Sequence, residues 1–115
     1  MNIKEKRENN KLILLIEGKI DSLSAPTLSE YLKKELEGVS NLEIDLKQTE
    51  YVSSAGIRAL LLAQKIMDKQ GQLVITNVND QIKELLDMTG VSQILTLIWL
   101  YLIIKDDKII MYLGG

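Results

Sequence analysis

Two adjacent hydroxyls, Ser53 and Ser54, followed by Ala55, Gly56, Ile57 and Arg58, are the residues of this sequence with the clearest chemical potential. Upstream, Leu42-Glu43-Ile44-Asp45-Leu46 alternates apolar and acidic residues as a short strand does. Downstream, Ile57, Leu60, Leu61, Ile66 and Met67 recur at the spacing of a helix, expected over about Ala55 to Lys69. The serines therefore stand where a strand hands over to a helix. A hydroxyl at a helix start accepts a hydrogen bond from a free backbone N–H of the first turn. A phosphate on that hydroxyl would meet the same N–H groups and the positive end of the helix dipole. From the residues alone two readings stay open: both serines only cap the helix, or one of them is a site of reversible modification. Arg58, in the same first turn, is either a plain surface cation or a group that steadies such a phosphate or meets an acidic partner.

Composition removes the commoner catalytic alternatives. The chain has no histidine and no cysteine, hence no imidazole acid or base, no thiolate and no disulfide. Asp21, Asp45 and Asp80 form no recognisable catalytic pair and there is no Gly-rich phosphate loop, so the sequence reads as a binding domain without cofactor or metal. A net charge of −2 argues against nucleic acid, which calls for a basic stripe. Met1 to Lys6 has no apolar stretch of the signal-peptide kind, so a cytoplasmic protein is expected. Ile94 to Ile104 is apolar except for Thr96, shorter than the roughly 20 residues that cross a bilayer, so it is read as a buried or paired segment and not as an anchor.

At 115 residues the chain is expected to be one domain spanning 1–115. Asn9-Asn10 marks a turn between a weakly alternating segment, Ile3 to Glu8, and a continuous apolar run, Lys11 to Glu17, predicted to be the central strand. Gly18 to Asp21 is read as leaving that strand. Ser22 or Ser24 then caps a helix with Pro26 in its first turn, Leu28, Leu32 and Leu36 along its apolar stripe, and Gly38 at its end. After the second helix come a strand at Gln72–Thr76 and a third helix, capped by Asn79 or Asp80 and closed by Gly90. Ile94–Ile98 fits a strand. Tyr101–Ile104 and Ile109–Tyr112 flank a polar Lys105–Lys108 and fit a hairpin better than a terminal helix, which would be apolar nearly all round. The expected class is α/β: a mixed, mostly parallel sheet with helices packed against it, in the order ββαβαβα plus a C-terminal strand or hairpin. The tail carries more apolar surface than a small domain easily hides, which favours a homodimer.

Four stretches resemble a known family. They are Leu15-Ile16-Glu17-Gly18-Lys19-Ile20-Asp21, Leu42–Leu46, Tyr51-Val52-Ser53-Ser54-Ala55-Gly56-Ile57-Arg58, and Ile82 to Gly90 with its Met88-Thr89-Gly90 ending. In this order and spacing the chain is similar to the STAS domain, and within it to the bacterial anti-sigma factor antagonists. The resemblance covers about residues 3–98 and leaves 99–115 as a divergent tail. It implies a switch: a partner anti-sigma factor, itself a serine kinase, is captured by the unmodified antagonist and released once a serine at the start of the second helix is phosphorylated; a phosphatase resets the system. Family members usually carry Asp-Ser-Ser/Thr-Gly at this joint. Matched on Gly56, the resemblance puts the acceptor at Ser54, Ser53 in the position of the Asp, and Ala55 in that of the second hydroxyl. Asp21 matches the family's acidic residue after the central strand; from the residues alone it is equally a turn residue or a cap for the first helix. Together with Ser53, Ala55, Gly56 and Arg58, it would make up the surroundings of the acceptor. A STAS subunit that binds a transport or regulatory complex and is never phosphorylated is the alternative.

Overall fold

The computed structural model describes residues 1–78 and 80, and the backbone of residues 102–105 and 108–111. The elements in chain order are β1 (Asn2–Glu8), β2 (Lys11–Ile20), α1 (Ala25–Glu35), β3 (Asn41–Asp45), β4 (Thr49–Val52), α2 (Ser54–Met67), β5 (Gln72–Thr76), β6 (Leu102–Lys105) and β7 (Lys108–Met111). Strand order is β1-β2-β3-β5-β7-β6, with β4 on the end of β2. The β2–β3, β3–β5 and β2–β4 pairs are parallel; β1–β2, β5–β7 and β6–β7 are antiparallel. The mostly parallel centre with a hairpin at each edge is the expected class.

Strand periodicity explains the core. Leu12, Leu14 and Ile16 of β2, Leu42 and Ile44 of β3 with Leu46 after it, and Leu73 and Ile75 of β5 alternate into one apolar cluster. Into it pack Leu28, Leu32 and Leu36 from α1 and its C-cap, and Ile57, Leu60, Ala63 and Met67 from α2. Met67 is therefore a core filler.

Four local readings are corrected. β2 does not stop at Gly18 but runs to Ile20, because the register shifts between Gly18 and Lys19 and Gly18 takes φ +91°, open to a residue without Cβ. β4 was not expected; only its end residues, Thr49 and Val52, are buried, so it lacks the alternation that signals a strand. Ser24 occupies the N-cap position of α1, yet its hydroxyl makes no capping bond to that helix, being used inside the preceding loop. The C-terminal hairpin is present, with Lys105 opposite Lys108, so its pairing includes the two lysines read above as the ends of the polar segment between the strands. The third helix expected over 79–90, apart from Asp80, and the strand expected at 94–98 lie outside the described residues.

β1 is held to α1 by charge. The Arg7 guanidinium lies 2.8 Å from Glu35 Oε2 and 3.3 Å from Glu5 Oε1, and the Tyr31 hydroxyl donates to Glu5 Oε2. The Tyr31 bond, then Arg7, holds the Glu5 carboxyl below the usual 4.5. A folded-state pKa below the unfolded one stabilises the fold above about pH 4.5, and the effect is lost as pH falls through the depressed value. Urea unfolding of Glu5→Gln should show a shallower loss of stability on acidification below that pH. The difference should stay under about 1 kcal/mol because the cluster is exposed.

Candidate functional site

The joint between β4 and α2 divides the two serines by backbone conformation. Ser53 is extended (φ −85°, ψ 175°) and is the N-cap of α2. Its Oγ accepts from the Gly56 N–H at 3.2 Å, and its carbonyl accepts from the Ile57 N–H at 2.8 Å. Its own N–H donates to the Ile20 carbonyl at 2.8 Å, tying the helix head to the end of β2. Ser53 is half-buried and committed to structure. Ser54 is the first residue of the helix and exposed, and among the described residues no side-chain hydrogen bond engages its hydroxyl. One serine caps; the other presents a free hydroxyl beside first-turn N–H groups, where an anion is favoured.

Gly56 explains how close that helix head can sit. A Cβ there would lie 2.3 Å from the Ile20 carbonyl oxygen and 2.9 Å from Ile20 Cγ2 and Val52 Cγ1. Ala55 is half-buried, Gly56 buried, and Arg58 exposed one turn further on. Ser53→Ala should lower stability by about 1 kcal/mol through the lost cap, whereas Ser53→Asp, which keeps an acceptor and adds charge at the positive end of the dipole, should be neutral or slightly stabilising. Chemical denaturation of both variants checks the pair.

Asp21 lies just past β2, next to the Ile20 carbonyl that holds Ser53. Its Oδ1 accepts from the backbone N–H groups of Leu23 (3.0 Å) and Ser24 (3.1 Å), and the Ser24 N–H in particular holds its carboxyl below the ordinary aspartate range. Ser24 Oγ accepts from the Asp21 N–H at 2.9 Å and donates to the Lys19 carbonyl at 2.7 Å. The Asp21 carboxylate thus shapes the β2–α1 loop at the same end of the sheet as Ser54.

Two further residues at this end carry exposed apolar surface, and the sequence marked neither as such. Leu23 is 87% exposed and Tyr51 44% exposed, both large apolar side chains facing solvent. Leu23 borders an open depression of about 560 Å³ together with Lys19, Asp21, Thr27 and Glu50. The available signal was a leucine set among Asp21, Ser22 and Ser24, where a turn has no packing use for it. Asp45 is half-buried at the end of β3, its Oδ1 accepting from Lys47 N–H and Asn77 Nδ2, each at 2.9 Å. Among the described residues no group of acids is placed to hold a metal ion, and no helix is long and apolar enough to cross a membrane.

Comparison with known proteins gives a consistent family. The STAS domain model matches residues 2–106. The anti-sigma-B factor antagonist of Bacillus subtilis is 33% identical over 96 residues, covering 83% of this chain and 88% of that protein. Among solved structures, an anti-sigma factor antagonist from Mycobacterium paratuberculosis superposes with a TM-score of 0.69 at 18% identity, over 81% of this chain and 80% of that one. A sulfate transporter family protein from Wolinella succinogenes gives a TM-score of 0.62 at 22% identity, over 75% and 71%. At these identities the two structures speak for the fold.

Proposed function

The chain belongs to the STAS domain family, and from that membership we propose that it is an anti-sigma factor antagonist switched by phosphorylation of Ser54. The observation that carries this is the division of labour at the head of α2: Ser53 is spent on capping while Ser54 is exposed and, among the described residues, unengaged. The similarity to the Bacillus subtilis antagonist supports the same reading over most of the chain. In the unmodified state the protein captures an anti-sigma factor that is also a serine kinase, which frees a sigma factor for transcription. The kinase transfers the γ-phosphoryl group of ATP to Ser54 Oγ; the hydroxyl proton leaves, ADP is released, and the complex falls apart. A phosphatase hydrolyses the phosphoserine and restores the binding form. Asp21, Ser53, Ala55, Gly56 and Arg58 surround the acceptor, no group on this chain performs the transfer, and the site is cytoplasmic without membrane insertion.

The likeness to the sulfate transporter family protein and the neutral Ser53 in the family's Asp position favour a second reading, an interaction subunit that is never phosphorylated. Intact-mass spectrometry after incubation with ATP and a cognate anti-sigma factor kinase separates them. One added phosphate on the wild type and on Ser53→Ala, and none on Ser54→Ala, is expected. An unmodified wild type, or undiminished phosphate on Ser54→Ala, overturns the antagonist reading.

The tail is assigned to self-association. Among the described residues β6 forms one edge of the sheet, its sequence Leu-Ile-Ile-Lys, whereas the opposite edge, β1, carries charges that discourage pairing. Light scattering should give a dimer for the full chain and a monomer for a truncation after Ile98; two monomers would remove this assignment.

A further inference from the structure

The response of the site to its own phosphate can be read from the charges on α2, given the assignment of Ser54 as the phosphorylated residue. α2 has two basic residues, Arg58 and Lys65, and no acidic residue along its length. Arg58 is exposed and, among the described residues, takes part in no ion pair. Its helical neighbours three and four positions away are Ala55, Leu61 and Leu62, which offer it nothing, and Ser54. Residues four apart on a helix are neighbours, and an ion pair there is better with the anion on the N-terminal side. Ser54 and Arg58 have that spacing and that order.

We propose that phosphoserine 54 is clamped from within this chain: Arg58 pairs with the phosphate across the first turn of α2, beside the free backbone N–H groups. A guanidinium suits the role because its planar fork engages two phosphate oxygens at once. The neutral Ser53 adds no second negative charge beside the phosphate at the helix head. Among the described residues the other charges at this end of the sheet include the Met1 amine, Lys19 on β2, Asp21 after it, Asp45 on β3, Lys47 after it and Glu50 on β4. Asp21 and Glu50 oppose the second negative charge of a phosphate, Lys19 favours it, and Asp21 is already bonded to its own loop. The clamp gives phosphorylation two effects on a docking partner. It adds negative charge at the helix head, and it withdraws the cation that the unmodified protein offers one turn below.

The test places phosphoserine at position 54 by genetic encoding, with no kinase involved, and follows the phosphate by phosphorus-31 NMR against pH in wild type, Arg58→Gln and Arg58→Lys backgrounds. The second ionisation of the phosphate should occur about 0.3 pH unit lower with Arg58 than in Arg58→Gln, roughly a twofold change in the ionisation constant. Arg58→Lys should fall between them, and the difference should shrink in 1 M salt, roughly the condition that cuts the screening length to 3 Å. Superimposable titrations of wild type and Arg58→Gln overturn the clamp. Because the phosphate is supplied directly, this outcome is separate from failure of a kinase to modify Ser54, which would overturn the antagonist assignment instead.

Discussion

Gly56→Ala should lose about 2 kcal/mol of folding stability and, with it, the geometry that presents Ser54. The new methyl group would sit 2.3 Å from the Ile20 carbonyl oxygen, a backbone atom that cannot rotate away, and 2.9 Å from two side-chain methyls in the same wall. Overfilling a packed interior costs about 1–3 kcal/mol. The gain in helix propensity from Gly to Ala, about 1 kcal/mol, offsets only part of this. The same carbonyl accepts the Ser53 N–H at 2.8 Å, so moving the helix off Ile20 also stretches the bond that fixes the cap. A lower urea midpoint at unchanged slope and a melting temperature lower by about 8 °C are expected. Phosphorylation of Ser54 should slow in parallel. A variant as stable as wild type would mean that α2 does not approach β2 this closely.

What could be read from the residues follows from how each element is stabilised. β3 and β5 are strands because their apolar residues alternate into one core, and that alternation is visible without any fold. β4 has no such pattern, since only Thr49 and Val52 point inward; it exists because β2 continues far enough to give it a partner. That continuation was itself hidden, because Gly18-Lys19-Ile20-Asp21, opening on a glycine and closing on an aspartate, looks like a strand end, and only the shifted register at Gly18 shows that pairing resumes. The helix start at the two serines was legible, although the strand that leads into it is β4 and not the expected Leu42–Leu46. Which serine caps and which faces solvent was not, because it turns on a single backbone torsion: ψ of 175° at Ser53 puts the helix start one residue later. Leu23 illustrates the reverse case. Its neighbours predict a turn, and nothing in a turn sequence says that a leucine stays uncovered.

Phosphorylation of Ser54 should weaken capture of the anti-sigma kinase about a hundredfold while leaving the fold as stable as before, and these two outcomes belong together. The phosphate brings roughly −1.5 to −2 charges to the first residue of α2, where N–H groups and the dipole favour an anion by about 0.3–1 kcal/mol. Ser54 is exposed, so nothing in the core has to move. A bound partner meets the same phosphate with its own surface, and desolvating that charge against an apolar or acidic patch costs several kcal/mol unless new donors compensate. About 3 kcal/mol of that cost is enough for the hundredfold loss. Titration calorimetry of phosphorylated and unmodified protein with the kinase, alongside thermal melts of each, measures both sides. Ser54→Glu, with one charge and a different shape, should reproduce only part of the weakening. Equal affinities would remove the switch, and a large drop in melting temperature would replace it with a different mechanism, release through unfolding of the docking surface.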